Sequence, residues 1–371
     1  MKAFLRRMAL LLAIFALAGG LFGGAPGHSV EAAASRPTAT YVSPERIQFV
    51  SYSKQWNQQK LKALHAELMK NMHGEELGYL GKVVLSNEDN EEELGVANMG
   101  YSWTEDDLSD IEMDELTEIV LYGADENTTV ESMATTLSHE YGHHFTYYWL
   151  IRKERKLPSD PTTKWASIRA IKGQPVLFTD DPDHPDYTHY WDPGEIMADD
   201  YMALFGSPTA KLSMVNSLRT EDGIGFYGEI ENEQLPPVVT LAAVRSYWLK
   251  LSGIKDPQPL VLKEPKLTKI EAVKNRAGGI DHKLIYDAGS ANSTVAARLQ
   301  YIAYWENEEE ELFDFTELTT GKLSIAVPGG LPETKLTFKV YAYDPKTKQY
   351  VYARPVVYDL SKPKAPVRVG K

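Results

Sequence analysis

Apolar side chains recur at Val130, Met133, Leu137, Tyr141, Phe145 and Tyr148, the spacing of one stripe along a helix that starts near Thr129. The same period over Trp56–Met72 (Leu61, Leu64, Leu68, Met72), stopped by Gly74, predicts another helix. Helices are also expected over Asp192–Phe205 and Val238–Leu251. Short apolar runs at Ile47–Tyr52, Val83–Leu85, Gly95–Trp103 and Glu118–Tyr122 read as strands, and Ser35–Pro44 as a flexible lead-in. Past a proline-bearing stretch, Ile254–Lys266, the period changes to two. Lys269–Val273, Leu284–Asp287, Ala296–Trp305, Leu323–Val327, Thr337–Tyr343 and Tyr350–Tyr358 alternate apolar with polar residues. Turns such as Gly278-Gly279 and Asp344-Pro345 separate them. The acidic run from Glu306 to Glu311 reads as a solvated loop or edge. The fold class expected is α+β: a mixed region over 35–255, a linker over 256–267 and an all-β sandwich over 268–371.

The first 34 residues stand apart. Lys2, Arg6 and Arg7 precede an apolar run from Met8 to about Phe22, and Ala32-Ala33-Ala34 supplies small residues for cleavage. That is the three-part pattern of a secretory signal peptide, 1–34, so the protein is expected to be secreted. The run is short for a membrane span, and no span is expected after cleavage. The chain has no cysteine, which excludes disulfides and a lipid-modified cysteine. Losing Lys2, Arg6, Arg7 and Glu31 takes the net charge from −13 to −15. A chain so acidic has no electrostatic attraction to nucleic acid or anionic membrane.

Chemistry concentrates at His139-Glu140-Tyr141-Gly142-His143. His139 and His143 stand one helical turn apart, about 200° around from the Leu137 side of the stripe, so both are expected to face a cleft. Two imidazoles at that spacing can hold one Zn2+, and Glu140 can reach a water at an open position as general base. His144, one step off the face, is expected to be structural. A catalytic zinc needs a third protein ligand. Metzincins would have Gly and His where this chain has Thr146 and Trp149. A third histidine would have to be His184, His189 or His282; otherwise the ligand is a glutamate on a later helix. Glu195-Ile196-Met197-Ala198-Asp199 offers one, with Asp199 on the same face to hold the far N–H of a ligating histidine. Asp200 is the alternative to Asp199. Asp192-Pro193-Gly194-Glu195 is also a good helix start, in which Glu195 would merely close a capping box.

The pairing of H-E-x-x-H with a later E-x-x-A-D resembles the gluzincin branch of zinc metallopeptidases. That resemblance rests on two short motifs. It implies a zincin-like catalytic domain, zinc ligands at His139, His143 and Glu195, a general base at Glu140, Asp199 behind a ligand, and a protein or peptide substrate. Gluzincins also supply a His or Tyr to the oxyanion. The candidates here are Tyr187, His189, Tyr190, Arg219, Tyr227, Arg245 and Tyr247, for each of which the sequence favours a packing role, so none is assigned to the site. Leu331–Asp344 resembles the penultimate strand of a fibronectin type III module, with Leu336 at that family's usual corner tyrosine. Such a module would bind a protein or cell-wall surface. Two other readings stay open: an adhesion protein with an inactive zincin lobe, and a zinc hydrolase acting on a different amide or ester.

Overall fold

The computed structural model describes residues 36–90, 93–103, 109–113, 115–179, 183–216, 232–256, 258–307, 312–318, 323–329, 335–361 and 367–368. The expected signal peptide, Arg219 and Tyr227 lie outside them. The class is α+β, with helices and several sheets. No helix among the described residues is long and apolar enough to cross a membrane. The chain divides into two units, residues 1–163 with 173–201, and residues 164–172 with 202–371. Residues 202–255, which the sequence grouped with the first region, fall in the second unit.

The first unit is built on a five-stranded sheet. β1 (Ala39–Val42) and β2 (Gln48–Ser51) pair antiparallel, α1 (Gln58–Leu68) crosses over, and β3 (Leu80–Leu85) runs parallel to β2. β4 (Gly95–Asn98) follows, then a small ribbon of β5 (Tyr101–Ser102) with β6 (Glu112–Met113). β7 (Thr117–Leu121) enters between β3 and β4, parallel to the former and antiparallel to the latter. The strand order is β1-β2-β3-β7-β4, so β4 is an antiparallel edge. Two expectations change here. The lead-in holds a strand: β1 is four residues long and forms one edge of the sheet, with Val42 61% exposed. Gly95–Trp103 is two strands, because Tyr101 turns to pack on the Ile111, Ile151 and Leu157 cluster.

α2 (Val130–Glu154) packs against α1, β4 and β7. The Thr129 hydroxyl accepts from the Ser132 N–H while the Ser132 hydroxyl accepts from the Thr129 N–H, a closed capping box. Met133, Leu137, Tyr141, Phe145 and Tyr148 are buried, as the stripe requires. A polar knot fixes the same flank. Glu76, fully buried, accepts from Tyr141 Oη at 2.9 Å and Trp149 Nε1 at 3.0 Å. Hydrogen bonds to a charged group contribute about 1.5–3 kcal/mol each. α3 (Lys164–Ile168) belongs to the second unit, and α4 (Pro193–Phe205) carries Glu195 and Asp199 within the first.

The second unit also contains α5 (Pro208–Asn216) and α6 (Ala242–Ser252), the latter ended by Gly253 in the left-handed region at φ 72°. β8 (Leu267–Lys274) and β9 (Ile280–Tyr286) form a hairpin, and α7 (Ser293–Ala296) leads into β10 (Gln300–Glu306). β11 (Leu312–Leu318), β12 (Ser324–Val327), β13 (Lys335–Asp344), β14 (Gln349–Asp359) and β15 (Val367–Arg368) complete two antiparallel sheets. Their orders are β11-β10-β13-β14-β15 and β12-β9-β8. The proline-bearing stretch is tied down rather than loose. Lys263 N–H donates to Gly289 O at 2.8 Å, and Glu264 holds Arg354 with both carboxylate oxygens.

Candidate metal centre

Two helices bring the site together, and glycine lets them touch. A Cβ on Gly142 would stand 2.7 Å from Ala198 O and 2.9 Å from Ala198 Cα, so α2 and α4 cross in backbone contact. One turn along α4 from Ala198, Glu195 points at the histidines. Its Oε2 lies 3.0 Å from His139 Nε2 and 3.2 Å from His143 Nε2. The two Nε2 atoms are 3.2 Å apart. Donors bonded at 2.0–2.1 Å to one tetrahedral ion stand about 3.3 Å from each other. His139, His143 and Glu195 therefore form a group that can hold a metal ion.

Proton logic points the same way. Asp199 Oδ1 lies 3.0 Å from His139 Nδ1, and a carboxylate only accepts, so Nδ1 carries the hydrogen. In the neutral ring Nε2 is then a bare lone pair, and it faces a carboxylate oxygen and a second imidazole nitrogen. Such a cluster calls for a cation, either a proton or a metal ion. Burial opposes charge on His139, yet the Asp199 and Glu195 carboxylates outweigh it and hold the ring well above the ordinary histidine value. His143 is raised as well, Glu195 overcoming burial. Burial likewise opposes charge on Glu195, but His143, His189 and His139 keep it well below the usual carboxylate range.

Glu140 stands beside this trio and is 5% exposed. Burial raises its carboxyl above the ordinary value, against the pull of His143 and His139. β4 runs directly over it: a Cβ on Gly95 would lie 2.9 Å from both Glu140 Cγ and Oε1. Nothing in the sequence pattern marked Gly95 beyond its being a glycine at a strand start.

The helix-start explanation of Glu195 fails. Asp192 is the cap, its Oδ1 accepting from Gly194 N–H at 2.6 Å and Glu195 N–H at 3.3 Å. The Asp192 N–H goes to His189 O at 3.1 Å, so the Glu195 side chain closes no box. Burial and the Glu195 charge push Asp192 up to about 6. Asp199 is the carboxylate that meets the far nitrogen of His139.

His144 is structural. It is fully buried, its Nε2 meets Glu76 O at 2.8 Å and its Nδ1 meets Thr117 Oγ1 at 2.8 Å, and burial lowers it to about 4. Of the other histidines weighed, His282 is buried in β9 and His184 Nδ1 accepts from Asp186 N–H. His189 alone of these reaches the trio, with Nε2 at 3.5 Å from Glu195 Oε2 and a side chain 45% exposed. Among the remaining oxyanion candidates, Arg245 is committed to Asp256, and the Tyr247 and Tyr190 rings pack on Trp248 and Trp191. Set against protein family models, curated proteins and solved structures, the chain matches none.

Proposed function

We propose that the chain is a secreted zinc peptidase of the gluzincin type, with a zincin-like catalytic unit and a fibronectin type III-like sandwich near its C-terminus. One observation carries the reading: three donor atoms at 3.0–3.2 Å from each other, with Glu140 beside them and Asp199 behind His139. Two imidazoles and one carboxylate suit Zn2+, and three protein ligands leave the open corner of a catalytic rather than a structural site. Zinc, when bound, supplies Lewis-acid polarisation of a carbonyl and acidifies a water. His139, His143 and Glu195 would hold the ion, and Asp199 Oδ1 fixes the His139 ring. A Glu140 carboxylate oxygen takes the proton of the attacking water and passes it to the leaving nitrogen. The raised proton affinity of Glu140 suits both halves of that transfer. The antiparallel edge β4, lying against Glu140, gives an extended peptide backbone groups to pair with. Secretion rests on the pattern of residues 1–34, and the sandwich on the two antiparallel sheets of the second unit.

The test uses protein lacking residues 1–34 and dye-labelled casein, with elemental analysis for zinc. Expected are about one zinc per chain, proteolysis abolished by a chelator and restored by Zn2+, and a Glu140→Gln variant that keeps zinc yet is at least about a thousandfold slower. Equal proteolysis by the Gln variant sinks the mechanism. Purified protein that takes up no zinc sinks the site.

A further inference from the structure

On one flank of the metal centre a row of aromatic rings leads from a ligand histidine out to solvent. We infer that Tyr147, Tyr101 and Trp103 form a substrate subsite: they receive an aromatic side chain of an extended peptide, and so set which peptides are cut. The inference rests on the peptidase reading above and gives it a substrate class.

The row starts at the site itself. The Tyr147 ring centroid lies 6.4 Å from that of His143, one turn earlier on α2. The Tyr147 hydroxyl stands against Gly194, the residue before Glu195, where an added Cβ would be 3.3 Å from it. Tyr147 therefore adjoins both His143 and the backbone that carries Glu195. Tyr101 follows at 6.4 Å from Tyr147, and Trp103 at 6.2 Å from Tyr101, the last two planes only 23° apart. The inner rings are anchored, since Tyr101 and Tyr147 pack with Met113 on Ile111, Ile151 and Leu157. The outer ring is open: Trp103 is 47% exposed. A fixed tyrosine backing an open indole offers a planar apolar surface, on which another aromatic ring gains more than its buried area alone supplies.

The row also lies where a substrate backbone would run. Gly95 of β4 stands over Glu140, and Tyr101 of β5 stands against Tyr147. The chain after Gly95 thus follows α2 from Glu140 past His143 to Tyr147, about 10 Å at a rise of about 1.5 Å per residue. A peptide paired with the edge strand β4 is led toward the rings. One ring-to-ring step matches about two residues of extended chain, so the side chain received lies within about six residues of the scissile bond. It lies on the same side in every substrate, because the rings occupy one flank. The edge strand also decides the kind of occupant. It offers main-chain donors and acceptors at strand spacing, which a peptide matches and a sugar chain does not.

The experiment reads binding as well as turnover. The mature chain with Zn2+ is given decapeptides of Ala, Gly and Ser that carry a single Phe, each at a different position, beside a Phe-free peptide. Mass spectrometry locates the cuts. Binding is read apart from cutting, by fluorescence anisotropy of the dye-labelled peptides on the Glu140→Gln protein. Expected are cuts at one fixed distance from Phe, with kcat/KM at least about tenfold above the Phe-free peptide and a similar preference in binding. Trp103→Ala brings both preferences to within about threefold of unity, while Zn2+ affinity and the rate on the Phe-free peptide stay within about threefold of the parent. Trp103→Phe restores most of the preference. Val42→Ala, exposed on the opposite edge strand, changes neither. Cutting without regard to Phe overturns the inference and leaves the peptidase reading standing, as does a preference that survives Trp103→Ala. A loss of about tenfold or more in Zn2+ affinity in Trp103→Ala overturns it too, by making the row a prop for the ligands. Protein that binds the Phe peptides through Trp103 but cuts none sinks the peptidase reading and leaves the subsite. Failure to bind any Phe peptide overturns the inference, and chitohexaose bound in their place would give the platform to a sugar.

Discussion

The crossing of α2 and α4 makes Gly142→Ala a sharp test of how the site is positioned. In an exposed helix the substitution stabilises by about 1 kcal/mol, because alanine is the better helix former. Here the added methyl meets Ala198 O at 2.7 Å, and ordinary van der Waals contact begins at 3.4 Å. The two backbones must separate by about 0.7 Å, an overpacking that costs about 1–3 kcal/mol. Stability then changes little or falls by up to about 2 kcal/mol, since the two effects oppose each other. Metal affinity is the better readout. Glu195 and Asp199 ride on α4, the histidines ride on α2, and ligand distances tolerate only about 0.2 Å. The expected loss in Zn2+ affinity is therefore about ten- to a hundredfold, comparable to removing an outer hydrogen bond to a ligand. Chelator competition with a fluorescent zinc indicator measures it. Gly78→Ala is the control, because nothing lies within 4 Å of a Cβ there. If Gly142→Ala binds zinc within threefold of the parent and is more stable, the helices do not set the ligand geometry as argued.

Asp199→Asn should weaken Zn2+ by about ten- to a hundredfold while the protein stays folded, because the amide can no longer favour the Nδ1–H form of His139; an unchanged chelator-competition constant would remove Asp199 from the site. Lys211, buried at 7% exposure with Nζ donating to Leu204 O, is brought down to about 8 by burial. The unfolded chain still binds that proton between about pH 8 and 10.5, so stability rises with pH through this window, by about 3 kcal/mol in all. Urea unfolding of Lys211→Met should lack the rise; curves for the two proteins running parallel from pH 7 to 10 would refute it.

The motif helix was legible because several signals agree: a long apolar stripe, a threonine cap and no proline. Glu195 and Asp199 were legible as a pair four residues apart on one helix, although pattern alone did not separate ligand from capping box. Geometry did, by showing the Asp192 N–H already taken by His189 O. Two strands at sheet edges were missed. β1 is an edge, and β11 borders the acidic run that read as loop. α3 and α5 were not read either, the former only five residues long. His189 was visible as a residue but not as a neighbour of Glu195, because its position depends on a turn rather than on a periodic element. Gly95 was invisible for a different reason: its value lies in the methyl it lacks, which only the placement of Glu140 makes meaningful.

Glu76 and its partners give the fold a property separate from reactivity. The knot grips the flank of α2 through Tyr141, His144 and Trp149, side chains that interleave with the ligand positions but point the other way. Each bond is directional, so together they oppose both sliding and rolling of the helix. α2 is therefore indexed to its sheet whether or not an ion is present. Small zinc modules collapse when stripped of metal, since coordination is most of what folds them. This chain has a workpiece clamped before the tool arrives. Stripping the ion should leave a native-like fold that regains it at the speed of encounter, without refolding.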